Sequence, residues 1–379
     1  MTHELAAAPH HIARYILSTT DTSRRDRLWP AHMLVFETNP LSIAYGACGI
    51  ALFLHEVNGQ LPDPVRAWLL DRPIGTRFYP PGLYLGTAGI AYAFDRLGFT
   101  ERALEVMPLV YESPLRDSDA SMVLGIAGWG WTSLHFWDRT GDSVFLERAA
   151  DGGDQLLRSA EVEGDTLCWR HSGDGSIHFG YGYGAAGVAL FLLELAKRTG
   201  EQRFGDAAHR ALAHDIGKRV ETETGVGWRR YADDTLIEPY WLHGNAGIGT
   251  TLLRFYEQTA DPEIGALIRT TADSSCIQFS VLPGQWEGMA GIGEFLLDTA
   301  RILDLPRYRD AAVQLAKTLL WYRVETDDGW AFPGASLARL STDLATGSAG
   351  IGLFLHRLQA GGRRLLTDLE VEDNVLVSS

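Results

Sequence analysis

The sequence predicts an all-α protein, a seven-fold α/α toroid (barrel) of inner and outer helices. Three observations predict it. The first is a phrase, Gly-x-x-Gly followed by an apolar run, that occurs seven times. It reads Gly46-Ala-Cys-Gly49, Gly86-Thr-Ala-Gly89, Gly125-Ile-Ala-Gly128, Gly184-Ala-Ala-Gly187, Gly244-Asn-Ala-Gly247, Gly288-Met-Ala-Gly291 and Gly347-Ser-Ala-Gly350. The first glycines stand 39 to 60 residues apart, the spacing of a repeat architecture. The second observation is that the runs after the pairs are apolar almost all round, as in Ile50-Ala-Leu-Phe-Leu54 and Val188-Ala-Leu-Phe-Leu-Leu193. A helix without a polar face is buried on every side. The third is that one-sided helices lie between these runs. Seven inner helices buried all round favour a closed ring over an open superhelix of the HEAT kind, whose ends need polar caps.

Each element follows from local chemistry. The paired glycines are packing devices: small residues at a helix start let backbones approach closely. They are not phosphate loops, because no Gly-Lys-Ser/Thr follows them. Outer helices are expected where apolar residues recur at helical spacing with charges between. Leu146, Ala149-Ala150 and Leu156-Leu157 mark one. Phe204, Ala207-Ala208, Ala211-Leu212 and Ile216 mark a second, and Ala311-Ala312, Leu315-Ala316 and Leu319-Leu320 a third. Two longer gaps carry strand-like pieces, Thr166-Leu-Cys-Trp-Arg170 and Gly227-Trp-Arg-Arg-Tyr231. The repeats run without a linker, so a single barrel over residues 1–365 is expected, followed by a tail over 366–379.

Composition narrows the function classes. The chain has 379 residues, 46% hydrophobic and 21% charged, as globular proteins do. A net charge of −15 argues against nucleic acid and anionic membranes as partners. No apolar stretch reaches 18 residues, and the His-containing N-terminus does not read as a signal peptide. Cys48, Cys168 and Cys276 lie far apart and form no CxxC pair, so a reduced, cytoplasmic setting is expected.

The segments Trp241-Leu-His-Gly-Asn-Ala-Gly-Ile-Gly249, Trp286-Glu-Gly-Met-Ala-Gly-Ile-Gly-Glu-Phe-Leu-Leu-Asp298 and Ser341-Thr-Asp-Leu-Ala-Thr-Gly-Ser-Ala-Gly-Ile-Gly352 resemble the lanthionine synthetase C-like cyclases. The resemblance runs from about Ala44 to about Leu358 and is strongest to the cyclase domain of class III kinase-cyclase lanthipeptide synthetases. It implies Michael addition of a peptide cysteine thiol to dehydroalanine or dehydrobutyrine, closing a thioether ring. It also implies a precursor peptide as partner, with a separate kinase and lyase as possible further partners. Zinc-dependent members place a Cys two residues before the first glycine of the fifth repeat and a Cys-His pair before that of the sixth. This chain has Leu242, Trp286 and Glu287 there. Leucine and tryptophan do not bind zinc, so no metal and no other cofactor are expected. Further departures are Tyr183 where many members carry His, Glu238 where some carry Arg, and Ser121 where some carry Asp.

Without zinc, a base must ionise a thiol whose ordinary pKa is about 8.5. His243 is the expected base, since imidazole suits proton transfer near neutral pH. Tyr183 is an expected donor to the oxyanion or to carbon, and Glu287 a third expected catalytic residue. The three precede the first glycines of the fifth, fourth and sixth repeats, so a ring brings them together on one rim. His178, His171, Trp241 and Trp286 are expected to bind substrate. Asp343 reads as a helix cap or turn former. Two other classes stay open: a catalytically silent scaffold for a peptide or partner enzyme, and a carbohydrate enzyme using Glu287 with Glu238 or Asp343.

Overall fold

The computed structural model describes residues 3–77 and 79–369. Outer helix α1 (His3–Ser18) comes first. Inner and outer helices then alternate: α2 (Ala47–Asn58) and α3 (Asp63–Asp71), α4 (Thr87–Arg96) and α5 (Thr100–Tyr111), α6 (Ile126–Thr140) and α7 (Ser143–Ser159). They continue as α8 (Ala185–Thr199) and α9 (Gln202–Gly217), α10 (Asn245–Thr259) and α11 (Pro262–Ser275), α12 (Met289–Ile302) and α13 (Pro306–Leu319). The last inner helix is α14 (Ser348–Ala360). Each even-numbered helix packs on the next, and α14 packs on both α2 and α1. The ring is therefore closed, and the first helix of the chain is the outer partner of the last.

Burial follows the sequence pattern. Every residue of α2 from Ala47 to Leu54 is buried, as is every residue of α8 from Ala185 to Leu195. Outer helices bury one stripe, which on α13 is Tyr308, Ala312, Leu315, Ala316 and Leu319. The strand-like pieces form small antiparallel sheets at the edge of the ring. These are β1 (Glu161–Glu163) with β2 (Thr166–Cys168), and β3 (Val220–Thr222), β4 (Gly225–Arg229) and β5 (Ile237–Glu238) in that order. A third hairpin pairs β6 (Val324–Thr326) with β7 (Gly329–Ala331).

The glycine phrases build a second ring inside the first. Residues one or two before each first glycine are joined by backbone hydrogen bonds around the whole circle. Ala44 donates to the Tyr84 carbonyl (2.9 Å), Leu85 to Val123 (3.2 Å), Val123 to Gly182 (3.3 Å) and Gly182 to Leu242 (3.0 Å). Leu242 donates to Trp286 (3.0 Å), Trp286 to Ala345 (2.9 Å), and Ala345 back to Ala44 (3.0 Å). This floor explains the second glycine of each pair. A Cβ there would sit 1.7–2.2 Å from the carbonyl oxygen six residues earlier in all seven repeats, for example 2.1 Å from Trp241 O at Gly247. One further glycine is conformational: Gly244 has φ of +88°, and a Cβ on it would strike Glu238 O.

Residues 366–369, expected to begin the tail, are docked instead. Leu366, Thr367 and Leu369 are buried, and Asp368 pairs with Arg254 of α10 at 2.8 Å. Residues 370–379 of the expected tail lie outside the described residues.

Candidate active site

The N-termini of α8, α10 and α12 are neighbours in the ring. Their preceding residues converge as the repeat phasing requires. Tyr183 stacks on His243 with ring centroids 5.6 Å apart, and the negative charge of Glu287 reaches Tyr183. The loop between β2 and α8 adds His171 and His178. His171 lies 4.9 Å from both Tyr183 and His178, and His178 lies 5.3 Å from His243. Five of the expected site residues thus form one cluster.

Trp241 lies apart from it, and Trp286 borders it through Tyr45. The two tryptophans stand three and two residues before their glycines, and their rings reach the other side of the floor. Trp241 packs on Tyr181 (4.5 Å) and Tyr84 (5.3 Å), with Arg364 over its face at 5.0 Å. Trp286 meets Tyr84 and Tyr45 edge-on. Both line a cavity of about 220 Å³ toward the C-terminal ends of the inner helices, bordered by the segment around Arg364. Asp343 is buried and turn-forming. It accepts from Thr346 N (2.7 Å), His32 N (3.1 Å) and the Ser341 hydroxyl.

The structure adds residues that the sequence pattern did not single out. Arg230 follows β4, whose pairing with β5 sets Trp228 opposite Glu238. Its guanidinium lies 3.2 Å from Glu238 and 3.4 Å from Glu287. The position where some relatives carry Arg is acidic here, and a cation from the neighbouring strand stands beside it. Asp119 behaves similarly. It lies two residues before Ser121, accepts from Ser121 N (2.8 Å) and Ser172 N (3.0 Å), and its charge reaches Tyr183. Tyr231 meets His178 at 5.8 Å. Only the β4–β5 register could have revealed Arg230, and a linear motif does not contain it.

Electrostatics separates the titratable groups. Burial, with Arg230 and His178 nearby, lowers the pKa of His243 to about 3. Its Nδ1 faces the Phe179 carbonyl at 3.4 Å. His243 is therefore neutral at pH 7 and a weaker base than its residue type suggested. Burial also pushes the Tyr183 hydroxyl up, as do Asp119 and Glu287, so it stays a protonated donor. Burial raises the Glu238 carboxyl, against Arg230 and with Glu287.

The depressed His243 makes stability fall in acid. The unfolded chain binds its proton near pH 6.5, the folded chain only near pH 3. Between these values unfolding takes up a proton, so stability drops as pH falls, by on the order of a few kcal/mol in all. Urea unfolding from pH 7 to pH 4 should show this loss, and His243→Gln should flatten the slope by one proton. An unchanged slope in the variant would place the acid sensitivity elsewhere.

The zinc ligands of zinc-dependent relatives have no counterpart here. Leu242 and Trp286 are buried in the floor, and Glu287 is held by Arg230. Two triads among the described residues have metal-like spacing, Glu163–Cys168–His214 and His171–Asp174–His178. In the first, burial and Glu161 raise the Cys168 thiol, so it is protonated. In the second, the ligand atoms serve a turn: His171 Nδ1 accepts from Gly173 N (3.2 Å), and Asp174 Oδ1 from Ser176 N (3.0 Å) and Oγ (2.7 Å). Neither set includes Leu242, Trp286 or Glu287, which stand at the ligand positions of the zinc-dependent relatives.

Comparison with known proteins settles the family. The lanthionine synthetase C-like protein family matches residues 98–371, well over half of the chain. The chain belongs to this family. A curated relative, the probable SapB synthase of Streptomyces coelicolor, is 31% identical over 350 residues. That match covers 89% of this chain but only 36% of the SapB synthase, so the chain spans about a third of its relative's length. Among solved structures, nisin cyclase superposes with a TM-score of 0.65 at 15% identity, covering 85% of this chain and 89% of that one. The GH76A α-1,6-mannanase from Salegentibacter sp. HEL1_6 shares the barrel more loosely, with a TM-score of 0.56 at 12% identity over 94% and 99% of the two chains. These two likenesses are of fold. Among the described residues of this LanC-like chain, no helix is long and apolar enough to cross a membrane.

Proposed function

We propose that this LanC-like chain is a lanthionine cyclase that adds peptide cysteine thiols to dehydroalanine or dehydrobutyrine without zinc. The observation that carries this reading is the cluster on the N-terminal rim, where His171, His178, Tyr183 and His243 meet beside Arg230 and Glu287. It supplies imidazoles for the thiol proton and donors for the enolate oxygen. Tyr183 donates as a protonated phenol, and Arg230 as a permanent cation. The N-termini of α8 and α10 add partial positive charge. Exposed apolar side chains stand on the segments that lead into the inner helices: Met33, Phe36, Leu236, Phe279 and Val281. Each offers an apolar contact for a flexible precursor peptide. The class III type of cyclase, acting in the cytoplasm with a kinase and lyase supplied by separate chains or by the rest of a longer protein, is the setting this reading implies.

The test is the loss of free thiol from a peptide carrying one dehydroalanine and one cysteine. The protein should accelerate ring closure over buffer at the same pH, and prior treatment with a chelator should leave the rate unchanged. Binding without any change in rate or ring pattern would establish the silent scaffold instead. A rate abolished by chelation and restored by zinc would overturn the metal-free part.

A further inference from the structure

We propose that the thiol base of this site is His178, oriented by Asp174, and that His243 is not the base. This rests on the cyclase reading and names the group that starts its chemistry. The segment carrying His178 is fixed from two sides. Phe179 N donates to the Arg230 carbonyl at 2.8 Å, and His178 bridges to Tyr231 beside β4. Gly180 N donates to the buried Asp215 of α9 at 3.0 Å. Asp174 is held in a turn by Ser176 N and Oγ. One of its oxygens, Oδ2, is then left for His178 Nε2 at 3.2 Å.

A carboxylate accepts only, so His178 carries its proton on Nε2 and its lone pair on Nδ1. That Nδ1 is buried and has no hydrogen-bond partner among the described residues, on a side chain only 8% exposed. Leaving a buried acceptor unpaired is unfavourable, so the group stands ready for a donor that arrives with substrate. A cysteine S–H is such a donor. The arrangement repeats the logic of an acid-oriented imidazole: the carboxylate sets the tautomer and stabilises the imidazolium once it forms.

The groups around His178 decide between the two histidines. His171, His243, Tyr183 and Tyr231 surround its ring, with Arg230 nearby. Burial, His171 and Arg230 lower its basicity, and Asp174 raises it. His243 is buried more deeply and meets the same Arg230, with no carboxylate bonded to it among the described residues. His178 is thus the better acceptor of the pair. In the step itself, the S–H proton passes to Nδ1 and the sulfur lone pair forms the C–S bond to the β-carbon. The C=C π pair moves onto the α-carbon and carbonyl as an enolate, and the imidazolium proton then returns to the α-carbon. No redox partner is needed and the net proton count is zero.

The experiment uses the same dehydroalanine–cysteine peptide and follows rate against pH. His178→Gln should lose roughly 10²–10⁴-fold at pH 7 and recover partly at pH 9, where the thiol ionises unaided. Asp174→Asn is the safer variant, because its side chain is half exposed. It should lose activity less and move the rate profile along the pH axis, which a merely structural role would not do. His243→Gln should lose less than His178→Gln. If the wild type accelerates closure and His178→Gln matches it, or if His243→Gln takes the larger loss, the assignment is overturned while the cyclase reading stands. If the wild type does not accelerate closure, both fall together.

Discussion

Gly247→Val is expected to lower the unfolding free energy by about 3 kcal/mol, because the added carbons have no room. A Cβ at Gly247 lies 2.1 Å from the Trp241 carbonyl and 3.0 Å from the Tyr181 Cβ. The first obstacle is backbone, so no rotamer relieves it. Relief requires α10 to move away from the segment 241–243, which carries two floor contacts and ends in His243. The Leu242 N–H and C=O both belong to the hydrogen-bonded ring, so displacement there loosens the joints to α8 and α12 together. Gly75→Ala is the control, since nothing lies within 4 Å of a Cβ at that position. Urea unfolding of the two variants should separate them by more than 2 kcal/mol, within the roughly 1–3 kcal/mol range of overpacking. Equal midpoints would mean that the glycine phrase does not hold the floor.

The same geometry shows why the sequence was readable at some places and opaque at others. A close backbone approach leaves a mark, because only glycine tolerates it. The approach recurs seven times, so the ring and its phasing were legible, and with them the meeting of Tyr183, His243 and Glu287. The strands β2 and β4 were legible from their composition. The side taken by Trp241 and Trp286 was not legible, because nearness to a glycine in sequence does not fix the side of an extended segment. Tyr183, His243 and Glu287, each one before its glycine, meet on the rim, whereas both tryptophans also line the cavity on the other side of the floor. Arg230 and Asp174 depend on a strand register and on an Asp turn, and neither leaves a periodic signal. Asp368 read as tail because charged residues near a terminus usually are solvated. Its partner Arg254 lies more than a hundred residues earlier, on the inward side of α10.

That partner belongs to the most strongly buried charges of the molecule, and removing one is expected to be as damaging as Gly247→Val. Asp298 of α12 is fully buried. It is paired with Arg254 of α10 at 2.8 Å and with Arg357 of α14, which also holds Glu294. Arg254 in turn holds Asp368 of the C-terminal segment. Burial alone would raise the Asp298 carboxyl, but Arg254, Arg357 and the nearby Arg364 outweigh it and hold the group well below the ordinary carboxylate range. Asp298→Asn keeps the shape and removes the charge, leaving two guanidinium groups undercompensated away from water. Breaking a buried pair in this way costs about 3–5 kcal/mol. The carboxyl is depressed in the folded state, so its contribution is present above the unfolded pKa of about 3.9 and fades as pH falls toward the folded value. The gap between wild type and Asp298→Asn should therefore be full at pH 7 and shrink in acid below about pH 4. Because Arg254 also grips Asp368, the variant should expose residues 361–369 to protease sooner than wild type under native conditions. A loss below about 1 kcal/mol at pH 7 would put the joint between α10, α12 and α14 in their apolar contacts and not in this network.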